Sequence, residues 1–235
     1  MRRKTLFFGR GNAKLSGVIA TFSLPAGWVC PGAAQCLSRA NRLTGHVKDG
    51  PNIRFRCYAA SQEALYPSVR QSRWHNYMLL SGLSSADMVA LILKSLHKME
   101  RIVRFHVSGD FFSQDYFDAW LEVARRRPDT VFYGYTKSLP FWVKRLNQIP
   151  PNVKLTASAG GKFDDLIERH GLNRAQVVFS AEEAKSEGLK IDKDDSLCLE
   201  SKGDFALLLH GTQPVNTVAS KAWRKIFKAK HAIKA

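Results

Sequence analysis

Cys30 and Cys36 stand six positions apart in GWVCPGAAQC, Cys57 follows in RFRCYAA, and Cys198 lies far downstream in DDSLCLES. Thiols in such settings can bind metal, carry redox chemistry or rest inert in a core. Pro31-Gly32 favours a turn, and the small residues after it let the backbone come close to a bulky ligand. Cys57 opens a predicted helix, whose first amide groups and positive dipole end stabilise a thiolate. Zinc prefers tight C-x2-C pairs, and the chain has none. A cubane iron–sulfur cluster is a larger body and draws ligands from longer, less regular spacings. Inert buried thiols are the plain alternative. The histidines, His46, His75, His97, His106, His170, His210 and His231, are scattered without metal-ligand spacing and read as core or surface.

Repeated strand–helix units supply the frame. GVIATFSL reads as a strand entering the cysteine loop, and residues 62–80 read as a helix despite Pro67. A capping box, Ser84 to Asp87, starts a helix with an apolar face of Val89, Ile92, Leu93 and Leu96. Strands RIVRFHVSG, TVFYGYT, NVKLTAS and AQVVFS then alternate with helices beginning at Gln114, Pro140, Phe163 and Ala181, and DFALLLHG is expected to close the sheet. The fold class is α/β, a largely parallel sheet with right-handed crossovers forming a partial TIM-like barrel. Ligands of such folds sit at the carboxyl ends of the strands. Those ends carry Ser108, Gly109, Asp110, Lys137, Ser158 and Ser180, with Gly160-Gly161 as a potential anion nest. Each also suits an ordinary helix cap or turn. Phe117, Trp120, Leu121 and Ala124 follow helical spacing and read as core, leaving Phe111, Phe112 and Tyr116 open between core and stacking roles.

The combination GNAKLSGVIATFSLPAGWVCPGAAQC, CYAA, FHVSGDFFSQDYFDAW and FYGYTKS resembles the phage gene product 88 family over roughly residues 11–160. That resemblance implies a layout like the cores of radical S-adenosylmethionine enzymes and an iron–sulfur cluster on Cys30, Cys36 and Cys57. By the same analogy Gly109-Asp110 occupies the place of the strand end that holds the cofactor's amino group. Two departures stand out: the C-x3-C-x2-C signature of those enzymes is absent, and the C-terminal cysteines are reduced to Cys198. With Cys198 as a fourth ligand, a [4Fe-4S] cluster is closed and has a structural, redox or electron-transfer role. Without it, one iron is open to S-adenosylmethionine, as an enzyme modifying a nucleotide or nucleic acid requires. The expected ligand set is Cys30, Cys36, Cys57 and Cys198, with Ser108, Gly109, Asp110, Lys137 and Ser158 as cofactor contacts. A metal-free nucleic-acid-binding or virion-associated protein is the third reading.

Net charge is +16, and it is concentrated at the two ends. Residues 1–60 hold ten Lys/Arg against one acid, Asp49, and residues 205–235 hold six against none. Charge focused in this way suits a polyanion, so DNA or RNA is the expected partner of the N-terminal segment and the tail. In the tail, Trp223, Ile226 and Phe227 form one face and Lys221, Arg224, Lys225 and Lys228 surround it. No apolar run approaches a membrane span, and the opening lacks a secretory pattern. The 235 residues are thus expected to form one domain with a basic C-terminal extension, in the host cytoplasm or associated with a virion.

Overall fold

The computed structural model describes residues 4–11, 15–201 and 203–232. Arg2, Arg3, Lys14 and Lys234, counted above among the basic residues, lie outside them; for Lys230 and His231 only the backbone is described. An eight-stranded sheet forms the frame. Its strands are β1 (Gly9–Arg10), β2 (Ala20–Ser23), β5 (Ile102–Ser108), β6 (Val131–Thr136), β7 (Val153–Ser158), β8 (Arg174–Val178), β9 (Lys190–Ile191) and β10 (Phe205–Leu208). Their spatial order is β1-β2-β5-β6-β7-β8-β10-β9, parallel except for the β1–β2 pair. The parallel α/β sheet is as expected; the closure is not. The sheet is open, with β1 and β9 at its edges, and DFALLLHG does not close it: β10 runs between β8 and β9. The terminal strand inserts because its apolar run suits a paired interior position, leaving the short Lys190–Ile191 strand at the edge.

Helices α1 (Tyr58–Leu65), α2 (Pro67–Leu80), α3 (Ser85–Ser95), α4 (Gln114–Arg126), α5 (Leu139–Val143), α6 (Asp165–Arg169), α7 (Ala181–Ser186), α8 (Ser196–Glu200) and α9 (Val218–Ala232) complete the fold. The single helix expected over 62–80 is two. Tyr66 is extended (φ −121°, ψ 96°) because the residue before a proline avoids the helical region, and Pro67 starts α2. Ser84 and Ser113 cap α3 and α4 through hydrogen bonds from the amides of Asp87 and Tyr116. Strand alternation divides the side chains between two faces. Val103, Phe105, Phe132, Val153 and Leu155 join Phe117, Trp120, Leu121 and Ala124 in the main core. Phe111 and Tyr116 are buried there too, with Phe112 stacked on Tyr116, so the three open aromatics pack inside. On the other face Tyr133, Ala175, Phe205 and Cys198 form a smaller cluster beneath α8.

A hairpin of β3 (Ser38–Ala40) and β4 (Val47–Asp49) separates Cys36 from Cys57. It was not legible in the sequence, because its strands are only three residues long.

Candidate metal centre

The cysteine loop is held over the carboxyl ends of β5, β6 and β7. The Leu24 amide donates to the Ser108 carbonyl (2.8 Å), Gln35 N to Gly160 O (3.0 Å) and Lys162 N to Gly32 O (2.9 Å), and Ala33 bridges to Gly161. Gly109, at φ +79°, permits the close approach: a β-carbon there would lie 2.6 Å from Leu24 Cβ. Cys57 arrives from the other side of the hairpin as the N-cap of α1.

Cys30, Cys36 and Cys57 are partly buried, free of disulfides and near enough to act on one another electrostatically. Burial pushes the Cys30 thiol up, and Asp110, Cys57 and Cys36 push it further. Burial likewise raises Cys36, opposed by the Lys137 ammonium. Cys57 is pushed up to about 11 by burial and by Cys36, against the amides of Ala59 and Ala60 and the Arg73 guanidinium. The Gly27 amide donates to Cys30 Sγ (3.3 Å). Three thiols whose ionised forms would repel one another are thus set among amide donors and two cations, a donor set suited to soft, thiophilic metal. They do not close on one point: among the described residues, no group of three or more His, Cys, Asp or Glu is placed to hold a single ion.

The five strand-end residues expected to contact a cofactor lie beside this site, and they are knitted to one another and to the loop. Ser108 Oγ donates to the Leu24 carbonyl (2.8 Å). Asp110 is buried and accepts from Thr136 Oγ1 (2.7 Å), Lys137 N (2.8 Å) and Phe111 N (2.8 Å), so it ties β5 to β6; burial raises its pKa. Lys137 Nζ donates to Ser158 O (2.7 Å), Ser158 Oγ (2.9 Å) and the Ala159 carbonyl, tying β6 to β7. The Gly160-Gly161 nest is filled from within, by the Asp164 carboxylate (2.7 and 2.9 Å). Ser180 caps α7.

Cys198 stands apart from the three. It is fully buried on the second face of the sheet, 3.3 Å from Thr156 Oγ1 and 3.9 Å from the Gly134 carbonyl, with Tyr135, Asp195 and Arg104 around it. The cause is local: α8 starts from Asp195 in the left-handed region and contacts β6 and β7, so its third residue is buried against the sheet rather than over the strand ends.

Two residues of this region escaped the sequence reading. Glu63 on α1 is buried and accepts from the Ala26 amide (2.8 Å), Arg73 (3.0 Å) and Ser108 Oγ (3.4 Å). Arg73 on α2 also donates to the Ala59 carbonyl (2.9 Å). The pair locks both helices to the loop. A charged residue on a helix reads as solvated until its partner on another helix is known.

The chain matches the family described as Gene product 88 over residues 4–228. It is similar to the Gene 88 protein of Mycobacterium phage L5, 28% identical over 191 residues, which covers 75% of this chain and 73% of that one. Similarity to the Gene 88 protein of Mycobacterium phage D29 is of the same degree, 28% over 191 residues. No solved structure matches.

Proposed function

The chain belongs to the Gene product 88 family, and from that premise we propose that Cys30, Cys36 and Cys57 hold an iron–sulfur cluster of the four-iron type, with one iron left open to a small chelating ligand, S-adenosylmethionine first. One observation carries this reading: three thiols from two separate segments lie within electrostatic reach of one another beside the carboxyl ends of a parallel sheet, while Cys198 is engaged elsewhere. The donor set fits. Thiolates suit iron and sulfide, and a cluster body accepts ligands from separate segments of chain.

Such a cluster, when bound, supplies one-electron transfer and an exchangeable coordination position. The chain's own residues do the rest. Lys137, Arg73 and the first amides of α1 favour the thiolate forms, against Asp110, which opposes those of Cys30 and Cys36. Ser108, Asp110, Lys137 and Ser158 fix the strand ends against one another, so the loop rests on a rigid floor. Cofactor sites at the carboxyl edge of a parallel sheet are the rule for such folds, and the resemblance to radical S-adenosylmethionine cores accords with it even though this sheet is open.

The test is iron and sulfide analysis of anaerobically purified protein, with electron paramagnetic resonance after dithionite reduction. About four irons per chain and a signal that shifts on adding S-adenosylmethionine are expected. An unshifted signal together with loss of iron in Cys198→Ser would establish a closed four-cysteine site instead. Colourless, iron-free protein would leave inert thiols.

A further inference from the structure

Trp28, two residues before Cys30, is 47% exposed, and its surroundings hold it rigidly. Its indole Nε1 donates to the Ala40 carbonyl (2.8 Å). The Arg39 guanidinium lies 5.3 Å from its ring centre while Arg39 Nε donates to the Gly27 carbonyl (3.0 Å). Trp74 on α2 packs beside it, ring centres 5.7 Å apart, with the Arg42 guanidinium 5.2 Å over the Trp74 ring. Two arginine–tryptophan pairs therefore form one strip along the border of the cysteine site.

The hairpin tip is also fixed. Arg70 is buried and donates to the carbonyls of Arg42 (3.1 Å) and Leu43 (3.2 Å), so the tip backbone is clamped while Leu43 remains 85% exposed. An internal arginine spent on holding an exposed Arg-Leu tip pre-organises that tip for contact. Among the described residues, the cations there are not neutralised by carboxylates. Arg54, Arg56 and Arg10 are matched by Glu183, Asp49 and Glu100, whereas Arg39 and Arg42 have no carboxylate partner among the described residues.

Unmatched guanidinium groups held against exposed indole suit a ligand with both phosphates and open π-faces. A duplex keeps its base faces stacked; a single strand offers them. Acidic peptide would satisfy the charge and leave the indole unused. We propose that Trp28, Arg39, Arg42, Leu43 and Trp74 form a binding strip for single-stranded nucleic acid, with the guanidinium groups on phosphates and the exposed indole on a base. The proposal concerns binding and stands independently of what the three thiols hold.

A competing basic surface exists on α9, where Ala219 and Ile226 pack in one cluster with Phe55 and Phe179 and leave Lys221, Arg224, Lys225 and Lys228 exposed. The test separates the two. Fluorescence anisotropy of the full chain with a labelled oligothymidylate or oligouridylate should show binding at low salt that weakens on a log–log line with salt. Arg42→Ala should shrink the slope by about 0.7, and Trp28→Ala should weaken binding roughly tenfold. Since Trp28→Ala also removes a loop hydrogen bond, Leu43→Ser with Arg42→Ala serves as a purely surface variant, and iron content is measured on every preparation. Absence of oligonucleotide binding with iron retained would overturn the proposal and leave the cluster reading standing. So would binding that depends on Lys221 and Arg224 but not on Arg42, or stronger binding to anionic lipid vesicles than to the oligonucleotide.

Discussion

Gly32 lies against the backbone of Lys137 so closely that a β-carbon on it would stand 1.9 Å from the Lys137 carbonyl oxygen. The cysteine loop and the end of β6 are therefore seated at one point, between Cys30 and Cys36. Gly32→Ala must push the loop off the strand ends. We expect it to cost about 2 kcal/mol or more in urea unfolding and to lower iron content, whereas Gly17→Ala, whose β-carbon would meet nothing within 4 Å, leaves both unchanged. Normal iron loading in Gly32→Ala would show that the loop site does not depend on this seating.

The placing of three thiols beside the strand ends, with Cys198 on the other face, predicts an asymmetry among the four cysteines. Cys30→Ser, Cys36→Ser and Cys57→Ser should each lose most bound iron. Cys198→Ser should retain it and show only a stability cost of about 1–2 kcal/mol, from a buried hydroxyl replacing a thiol beside Thr156. Inductively coupled plasma analysis and thermal melts of the four variants read both quantities.

Lys137 favours the Cys36 thiolate. In metal-free protein, Lys137→Met should shift the Cys36 thiol to higher pKa, so alkylation of Cys36 at mildly alkaline pH becomes slower than in the parent chain. The same change leaves the Ser158 and Ala159 carbonyls without their donor and should cost about 2–3 kcal/mol. Peptide mass spectrometry after timed iodoacetamide treatment measures the first effect, and an unchanged rate would place the ammonium too far from the sulfur to matter.

His106 is buried in the left-handed region (φ 59°), where the β2–β5 register shifts, and its Nε2 lies 3.0 Å from the Tyr116 hydroxyl. Burial lowers its pKa from 6.5 to about 3. The unfolded chain therefore takes up a proton that the folded chain refuses as pH falls below 6.5, and stability is lost from there downward, by at most about 1.4 kcal/mol per pH unit. Asp110 and Glu63, raised by burial, oppose this as pH falls through their folded pKa values, so the His106 contribution is read as the difference between parent and variant. His106→Asn tolerates the same backbone conformation and should flatten the slope; an identical slope would assign it to another group.

Much of the frame is written locally. The alternation of β-branched runs with helices specified a parallel α/β sheet, Ser84 marked one helix start, and Cys57 before an alanine-rich segment marked another. The packing of Phe117 and Trp120 followed from their spacing. These signals act over a few residues, where hydrogen-bond capping and side-chain periodicity are complete within the segment. The order of the strands is different in kind: that β10 lies between β8 and β9, leaving the sheet open, depends on which partner best covers an apolar strand across the whole chain. The site divides in the same way. Its thiols and strand-end residues are visible in the sequence, but their roles emerge from contacts between residues far apart in the chain. Asp110 reaches Thr136, Lys137 reaches Ser158, and Glu63 reaches Ala26, so polar groups that could have met a ligand are matched to one another. Cys198 was separated from the other thiols by the backbone turn at Asp195 and the burial of α8 against the sheet, a choice that only long-range packing makes.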